Sequence, residues 1–163
     1  MPLLKGGRRV DDPWRRLGAD EAIPASGAVL LPFARFQAER AALAGRADPV
    51  GVLLAPNEPP EAIAGDLDRL SLVALEFPKF TDGRAYSTAR ILRERYGWRG
   101  ELRAVGDVEL EHLAFMERCG FDAFELASSD PERDWQIAQA DFSLWYQPAA
   151  DRRPTVIERR HRS

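Results

Sequence analysis

The chain has 163 residues, of which 45% are hydrophobic and 30% are charged, as in a soluble globular domain with short appendages. Its net charge of −3 provides no basic field for nucleic acid, and its apolar runs are shorter than the ~20 residues that span a bilayer. A single Cys excludes an internal disulfide or a thiolate cluster, and the first residues lack a signal peptide, so we expect a cytoplasmic protein.

Residues 1–27 are predicted to form an N-terminal arm. Two short apolar or β-forming runs, residues 3–4 and 8–10, flank Gly6-Gly7, which is typical of a small hairpin. Residues 15–27 form a polar connector with Pro24 and Gly27, and Trp14 is the residue expected to anchor the arm.

From residue 28 the sequence alternates between short apolar runs and amphipathic helical segments. The predicted strands are residues 28–31, 50–54, 72–77, 102–105, 123–126 and 142–146. The predicted helices are residues 33–44, 61–70, 84–96, 109–119 and 131–140.

This alternation predicts an α/β fold with a mainly parallel sheet and right-handed crossovers. Five or six βα units are too few for a closed eight-stranded barrel. The alternatives are an open three-layer sandwich, which we slightly favour, and a partial TIM-like barrel. We expect one α/β domain over residues 28–147 and a flexible, Arg-rich tail over residues 148–163.

The loops that follow parallel strands share one edge of the sheet, where ligands usually bind. The loop after the third predicted strand is the richest in polar groups, and Gly106-Asp107 follows the fourth. Lys79 is one of only two lysines in the chain. Lys79, Arg84, Gly83 and the start of the next helix would suit a small oxyanion or a phosphate group.

Several of these residues have a structural alternative. Asp82 is also suited to cap the helix that follows it, and the two roles can coexist. Asp107 could act as an acid, a base or a hydroxyl acceptor, or cap the helix beginning near Glu109. Lys79 and Arg84 could instead be solvated or paired with Asp82 or Asp107.

Other reactive side chains and motifs point away from familiar cofactor sites. His112 is expected on a partly apolar helix face, at the boundary between buried and exposed positions, and Cys119 is expected as a buried structural thiol. The sequence lacks dinucleotide, Walker-type and nucleophile-elbow motifs. Because the chain has two scattered His and one Cys, we expect no zinc or iron–sulfur site. A Mg²⁺ bound by carboxylates is still possible, and the sequence identifies no cofactor.

The motifs FPKFTDGR (77–84), YSTAR (86–90), GELRAVGDV (100–108) and RCGFDAF (118–124) resemble a bacterial domain-of-unknown-function family. Members of that family are described as probable oxidoreductases of sulfite reduction. They are typically encoded beside assimilatory sulfite reductase and adenylyl-sulfate reductase. The resemblance covers residues 28–147 and implies a role in sulfate assimilation and cysteine biosynthesis.

The resemblance transfers no established catalytic residue, so the motif positions are candidates. We assign Lys79 and Asp107 as candidate catalytic residues. The candidate ligand-binding residues are Thr81, Asp82, Gly83, Arg84, Ser87, Arg103 and Gly106, with Arg90 a further motif position. No metal ligand is assigned.

Two functions follow from this pattern. In the first, the protein is a small enzyme or redox accessory of sulfite reduction that binds an oxyanion or phosphate at the ends of the third and fourth strands. In the second, it is a non-catalytic adaptor for sulfite reductase or adenylyl-sulfate reductase, with contacts from the Arg-rich helix face, including Arg90 and Arg93, and from the tail. Neither function calls for nucleic acid or a membrane.

Overall fold

A computed structural model describes residues 1–142, which form an eight-stranded mixed α/β fold. The strands are β1 Leu3–Lys5, β2 Arg8–Val10, β3 Arg15–Arg16, β4 Val29–Pro32, β5 Val50–Leu54, β6 Leu70–Phe77, β7 Glu101–Gly106 and β8 Ala123–Glu125. The helices are α1 Phe33–Ala38, α2 Arg40–Ala44, α3 Arg84–Arg90, α4 Leu113–Cys119 and α5 Pro131–Phe142. The other helical segments are two 3₁₀ helices, at Pro60–Arg69 and Leu110–His112, and a π-helical turn at Ile91–Arg95.

The sheet has the strand order β2-β1-β8-β7-β6-β5-β4-β3. Strands β3 to β8 are mutually parallel and follow one another in sequence, whereas β1 is antiparallel to both β2 and β8. Because the order never reverses, right-handed crossovers place the helices on one face of the sheet. The predicted mainly parallel sheet and N-terminal hairpin are confirmed, and the architecture is the partial barrel rather than the open sandwich that we favoured.

The N-terminal segment shows how strongly the sheet is curled. A flat eight-stranded sheet would separate its outer strands by about 33 Å at the usual inter-strand spacing. The chain from Val10, which ends β2, to Arg15, which begins β3, can span only about 18 Å. The sheet therefore curls into a half-barrel, and residues 11–14, here called the strap, connect its two outer strands.

The two faces of the half-barrel differ in what covers them. On the outer face, residues such as Phe77, Leu75 and Leu102 pack with helical residues such as Ala89 and Leu113 in the main core. On the inner face, Leu30, Leu72, Ala74 and Val105 form a second buried cluster, on which Trp14 and Leu53 pack. Trp14 thus anchors the N-terminal arm, as predicted.

Several predicted elements differ from the structure. The predicted helix 33–44 is divided at Glu39, and the predicted helix 61–70 is a 3₁₀ helix at Pro60–Arg69 rather than an α-helix. Residues 15–16, predicted as connector, add a strand, because the amides of Arg15 and Leu17 donate to the carbonyl oxygens of Ala28, just before β4, and Leu30, within it. The predicted strand 142–146 begins at the last residue of α5 and otherwise lies outside the described residues.

Two predicted helix boundaries follow their local chemistry. Gly120 ends α4 with a φ of +120°, a conformation that favours glycine. Asp130 precedes α5, and its carboxylate accepts a hydrogen bond from the amide of Arg133 at 3.2 Å.

Candidate functional site

The loops after β6 and β7 lie side by side, as the sequence predicted. The two strands are parallel neighbours, and Phe77 at the end of β6 is paired with Gly106 at the end of β7. The loop of residues 78–83, here called the rim loop, therefore lies next to Asp107.

Gly106 makes this close approach possible. Its φ is +92°, and a Cβ at this position would lie 2.4 Å from the carbonyl oxygen of Phe77. The amide of the next residue, Asp107, donates to that same oxygen at 2.7 Å. The backbone geometry thus requires a glycine at position 106, and no ligand is needed to explain its presence.

Asp107 fastens the rim loop to β7. Its Oδ2 accepts a hydrogen bond from the amide of Phe80 at 2.9 Å. The residue preceding the 3₁₀ turn is Glu109, so Asp107 is not the cap of that turn. The carboxylate fixes the position of Phe80, and this role requires no ligand.

Arg84 is committed to Asp82. Its Nε donates to Asp82 Oδ1 at 3.0 Å and its Nη2 donates to Oδ2 at 2.7 Å, while the Arg84 amide also donates to Oδ1 at 3.2 Å. These hydrogen bonds lower the pKa of Asp82, and the side-chain bond raises the pKa of Arg84. The positive charge expected for an anion pocket is therefore compensated within the motif, and the amide of Arg84 at the start of the helix also bonds to Asp82.

The remaining motif residues at this edge are open to solvent. Lys79, Thr81, Gly83 and Ser87 are exposed. Within residues 1–142, Lys79 makes no ion pair with an acidic side chain. Lys79 is therefore the uncompensated cation of the rim loop.

Arg103 is not brought to this site. It lies in the middle of β7 on the inner face of the half-barrel, and its side chain is 1% exposed. Its guanidinium is engaged with Asp12, Glu101 and Glu125. The motif residues predicted to form one anion site thus divide between the rim loop and the interior.

Phe80 is the feature of the rim loop that the sequence interpretation missed. It is 46% exposed, an unusual degree for an aromatic side chain on a loop held by a hydrogen bond. Its ring stacks on His112, with ring centroids 5.8 Å apart and an angle of 22° between the planes. The sequence did contain a signal for it, since Phe80 is an apolar residue within the polar run from Lys79 to Arg84.

Acidic side chains flank this aromatic pair. Glu109 and Glu111 share a hydrogen bond that raises the pKa of Glu109, to which the nearby charge of Asp107 also contributes. A backbone hydrogen bond and the same contact with Glu109 lower the pKa of Glu111. Glu109 and Glu111 therefore lie close to His112, whose ring stacks on Phe80.

The Arg-rich helix after the rim loop is only partly a surface feature. Arg90 is exposed and pairs with Glu94 at 3.4 Å. Arg93 is buried, and it donates to the carbonyl oxygens of Gly120, Trp98 and Gly100 at 2.9 Å each. Arg93 joins loops at the amino ends of β7 and β8 and is not available to a partner.

The described residues contain no group of three or more His, Cys, Asp or Glu side chains that could hold a metal ion. Over the same residues, no helix is both long and apolar enough to cross a membrane.

Comparison with known proteins gives one assignment. No curated protein matches the chain. A family model described as a bacterial protein of unknown function, DUF934, matches residues 51–157. This match extends from β5 through the rim loop and beyond α5, and it covers more than half of the 163 residues. The chain belongs to the DUF934 family of bacterial proteins.

Proposed function

We propose that this protein is an accessory factor of assimilatory sulfate and sulfite reduction, and that it docks through Phe80 onto sulfite reductase or adenylyl-sulfate reductase. The observation that carries the docking proposal is the exposure of Phe80, 46% of its surface, on a loop fixed by Asp107. The pathway and the two candidate partners are supported by the resemblance of the rim-loop motif to proteins of sulfite reduction.

The geometry around Phe80 favours a protein partner over a small anion. Buried aromatic anchors surrounded by polar groups dominate the binding energy of many protein interfaces. Asp107 and His112 hold Phe80 from two sides, so little conformational entropy is lost when a partner covers it. Arg84, which would have to hold an anion, is neutralised by Asp82.

The direct test is to measure binding of each purified reductase to the full-length protein and to its Phe80→Ala variant. Truncation of a central aromatic anchor typically costs about 2 kcal/mol or more, so we expect the Kd to rise by at least ~30-fold. Val10→Ala is the control, because Val10 is an exposed apolar residue on β2, three strands away from β7 in the sheet. The proposal fails if neither reductase binds, or if Phe80→Ala binds as tightly as the unchanged protein.

A second candidate is an oxidoreductase or ligand-binding role for the rim loop, in which Lys79 and Thr81 hold an oxyanion or a phosphate. The uncompensated charge of the exposed Lys79 favours it. Thermal stabilisation by sulfite, sulfate or a nucleotide that is absent in Lys79→Ala would support this role. Purified protein carrying a bound flavin would also support it, whereas unchanged melting in all of these ligands would exclude the rim loop as an anion site.

A further inference from the structure

The inner face of the half-barrel holds a buried arginine that is paired with the strap. Arg103 donates from Nη1 to Oδ2 of Asp12 at 2.8 Å and from Nη2 to Oδ1 at 3.1 Å. These two parallel bonds are the arrangement in which a guanidinium recognises a carboxylate. The Arg103 side chain is 1% exposed and that of Asp12 is 34% exposed, so the carboxylate side of the pair is the side open to solvent.

The other charges around Arg103 are balanced without Asp12. Glu101 accepts from its Nε at 3.0 Å and its Nη2 at 2.8 Å, and Glu125 accepts from its Nη1 at 3.3 Å. Lys5 pairs with Glu101 at 3.0 Å. Two cations thus face two carboxylates, and Asp12 brings the additional negative charge. Any other carboxylate in its place would leave the local charge unchanged.

Trp14 makes a second contact on the same face. It packs on the buried cluster of Leu30, Leu72, Ala74 and Val105. Its amide donates to Asp12 Oδ1 at 3.1 Å, so the carboxylate and the indole are held in a fixed relation two residues apart. The strap therefore presents a carboxylate and an aromatic ring to one face of the sheet.

We propose that the inner face of the half-barrel is a binding site for a carboxylate that carries an aromatic group, and that the strap occupies this site as an intramolecular ligand. A tethered occupant has a high effective concentration, so a free ligand enters only when the strap lifts or when the Asp12 carboxylate is removed. This site is distinct from the rim loop and does not depend on the docking proposal.

The first experiment removes the carboxylate and supplies another. In full-length Asp12→Ala, we expect the melting temperature to fall by several degrees, and acetate, compared with chloride at the same ionic strength, to restore it. Acetate should not change the melting temperature of the unchanged protein or of Asp11→Ala, a variant of the exposed neighbouring residue. It should also not change that of Asp12→Asn, because there the side-chain amide fills the position of the carboxylate. If acetate and chloride act equally on Asp12→Ala, the proposal is wrong.

Refolding extends this test if Asp12→Ala does not fold in chloride. The denatured variant should then recover its far-ultraviolet circular dichroism when refolded in acetate. An equally low yield in both salts would overturn the proposal.

The second experiment tests recognition of the aromatic ring. In full-length Asp12→Ala/Trp14→Ala, we expect indole-3-acetate to raise the melting temperature as much as acetate does, but at a concentration that is lower by about tenfold or more. The reason is that the indole buries apolar surface where Trp14 was. Equal potency of the two carboxylates would show that the inner face does not bind the ring.

Discussion

Two Arg–Asp pairs with the same bidentate chemistry lie in opposite environments. Arg84 and Asp82 pair on the rim loop, where the Arg84 side chain is 61% exposed, whereas Arg103 pairs with Asp12 inside the half-barrel and is 1% exposed. Water and salt screen the first pair, so it adds little to stability. Breaking the second removes two charge-assisted hydrogen bonds from a buried guanidinium, so it holds the strap in position. Bidentate Arg–Asp contacts thus serve different purposes at the two sites.

The strongest way to test this comparison is to remove the buried cation. Arg103→Met leaves Asp12, Glu101 and Glu125 without the guanidinium that they share, so we expect the free energy of unfolding to fall by about 3–5 kcal/mol. Urea denaturation measures this change. Arg99→Met is the control, since Arg99 is exposed, and a loss as small as in that control would contradict the structural role of Arg103.

The second largest effect is expected where β6 and β7 separate into the rim loop. Gly106→Ala should cost about 1–2 kcal/mol for the positive φ and a further 1–3 kcal/mol for the clash with Phe77. Gly97→Ala is matched to it, because Gly97 has a φ of +62° but a Cβ at that position would have nothing within 4 Å. Equal destabilisation of the two variants would show that the approach of Gly106 to Phe77 is not constraining.

The pairing of the strap with the inner face of the half-barrel could not be predicted from the sequence. Asp12 and Arg103 are 91 residues apart, and no local pattern links them. Alternation of apolar runs located β4 to β8, since each strand buries its side chains on both faces of a parallel sheet. Periodicity carries no information on strand order, which is why it did not separate the half-barrel from an open sheet. The short strand β3 was missed because Arg15 and Arg16 are exposed polar residues on an edge.

The candidate site was predicted in position but not in chemistry. The strand ends after Phe77 and Val105 placed Asp107 beside the rim loop, because parallel strands end at the same edge. The pairing of Arg84 with Asp82 and of Asp107 with the Phe80 amide depends on loop geometry that residue type does not specify. Arg103 was assigned to the site as a position of the GELRAVGDV motif, although it lies two residues before the predicted end of its strand and its side chain points to the inner face.

A smaller effect is expected when the rim loop loses its fastening to β7. Asp107→Ala removes the hydrogen bond to the Phe80 amide, so the free energy of unfolding should fall by about 1 kcal/mol. Exchange of the amide hydrogens of residues 78–83 should become faster. Asp107→Asn keeps an acceptor oxygen and should behave like the unchanged protein. Unaltered exchange in Asp107→Ala would show that Phe80 is held by other contacts.

The smallest effect is expected at the exposed pair. Arg84→Ala should leave the melting temperature unchanged within error, since the pair is solvent-screened. It should nevertheless raise the pKa of Asp82 towards its ordinary value, because the hydrogen bonds from the Arg84 side chain, which lower it most, are lost. A depressed carboxyl pKa contributes stability only above the ordinary pKa, and this is lost as the pH falls through the depressed value. Carboxyl-detected NMR titration measures the shift, and an unchanged Asp82 pKa would contradict the pairing.

The most direct test of the docking proposal is an amide-exchange footprint of the full-length protein with purified sulfite reductase and, separately, with adenylyl-sulfate reductase. We expect one reductase to protect residues 78–84 and the 3₁₀ turn Leu110–His112, which carries the ring stacked on Phe80. Residues 11–14 on the inner face should exchange as in the free protein. Protection confined to other surfaces, or none with either reductase, would contradict the assignment of the rim loop as a docking site.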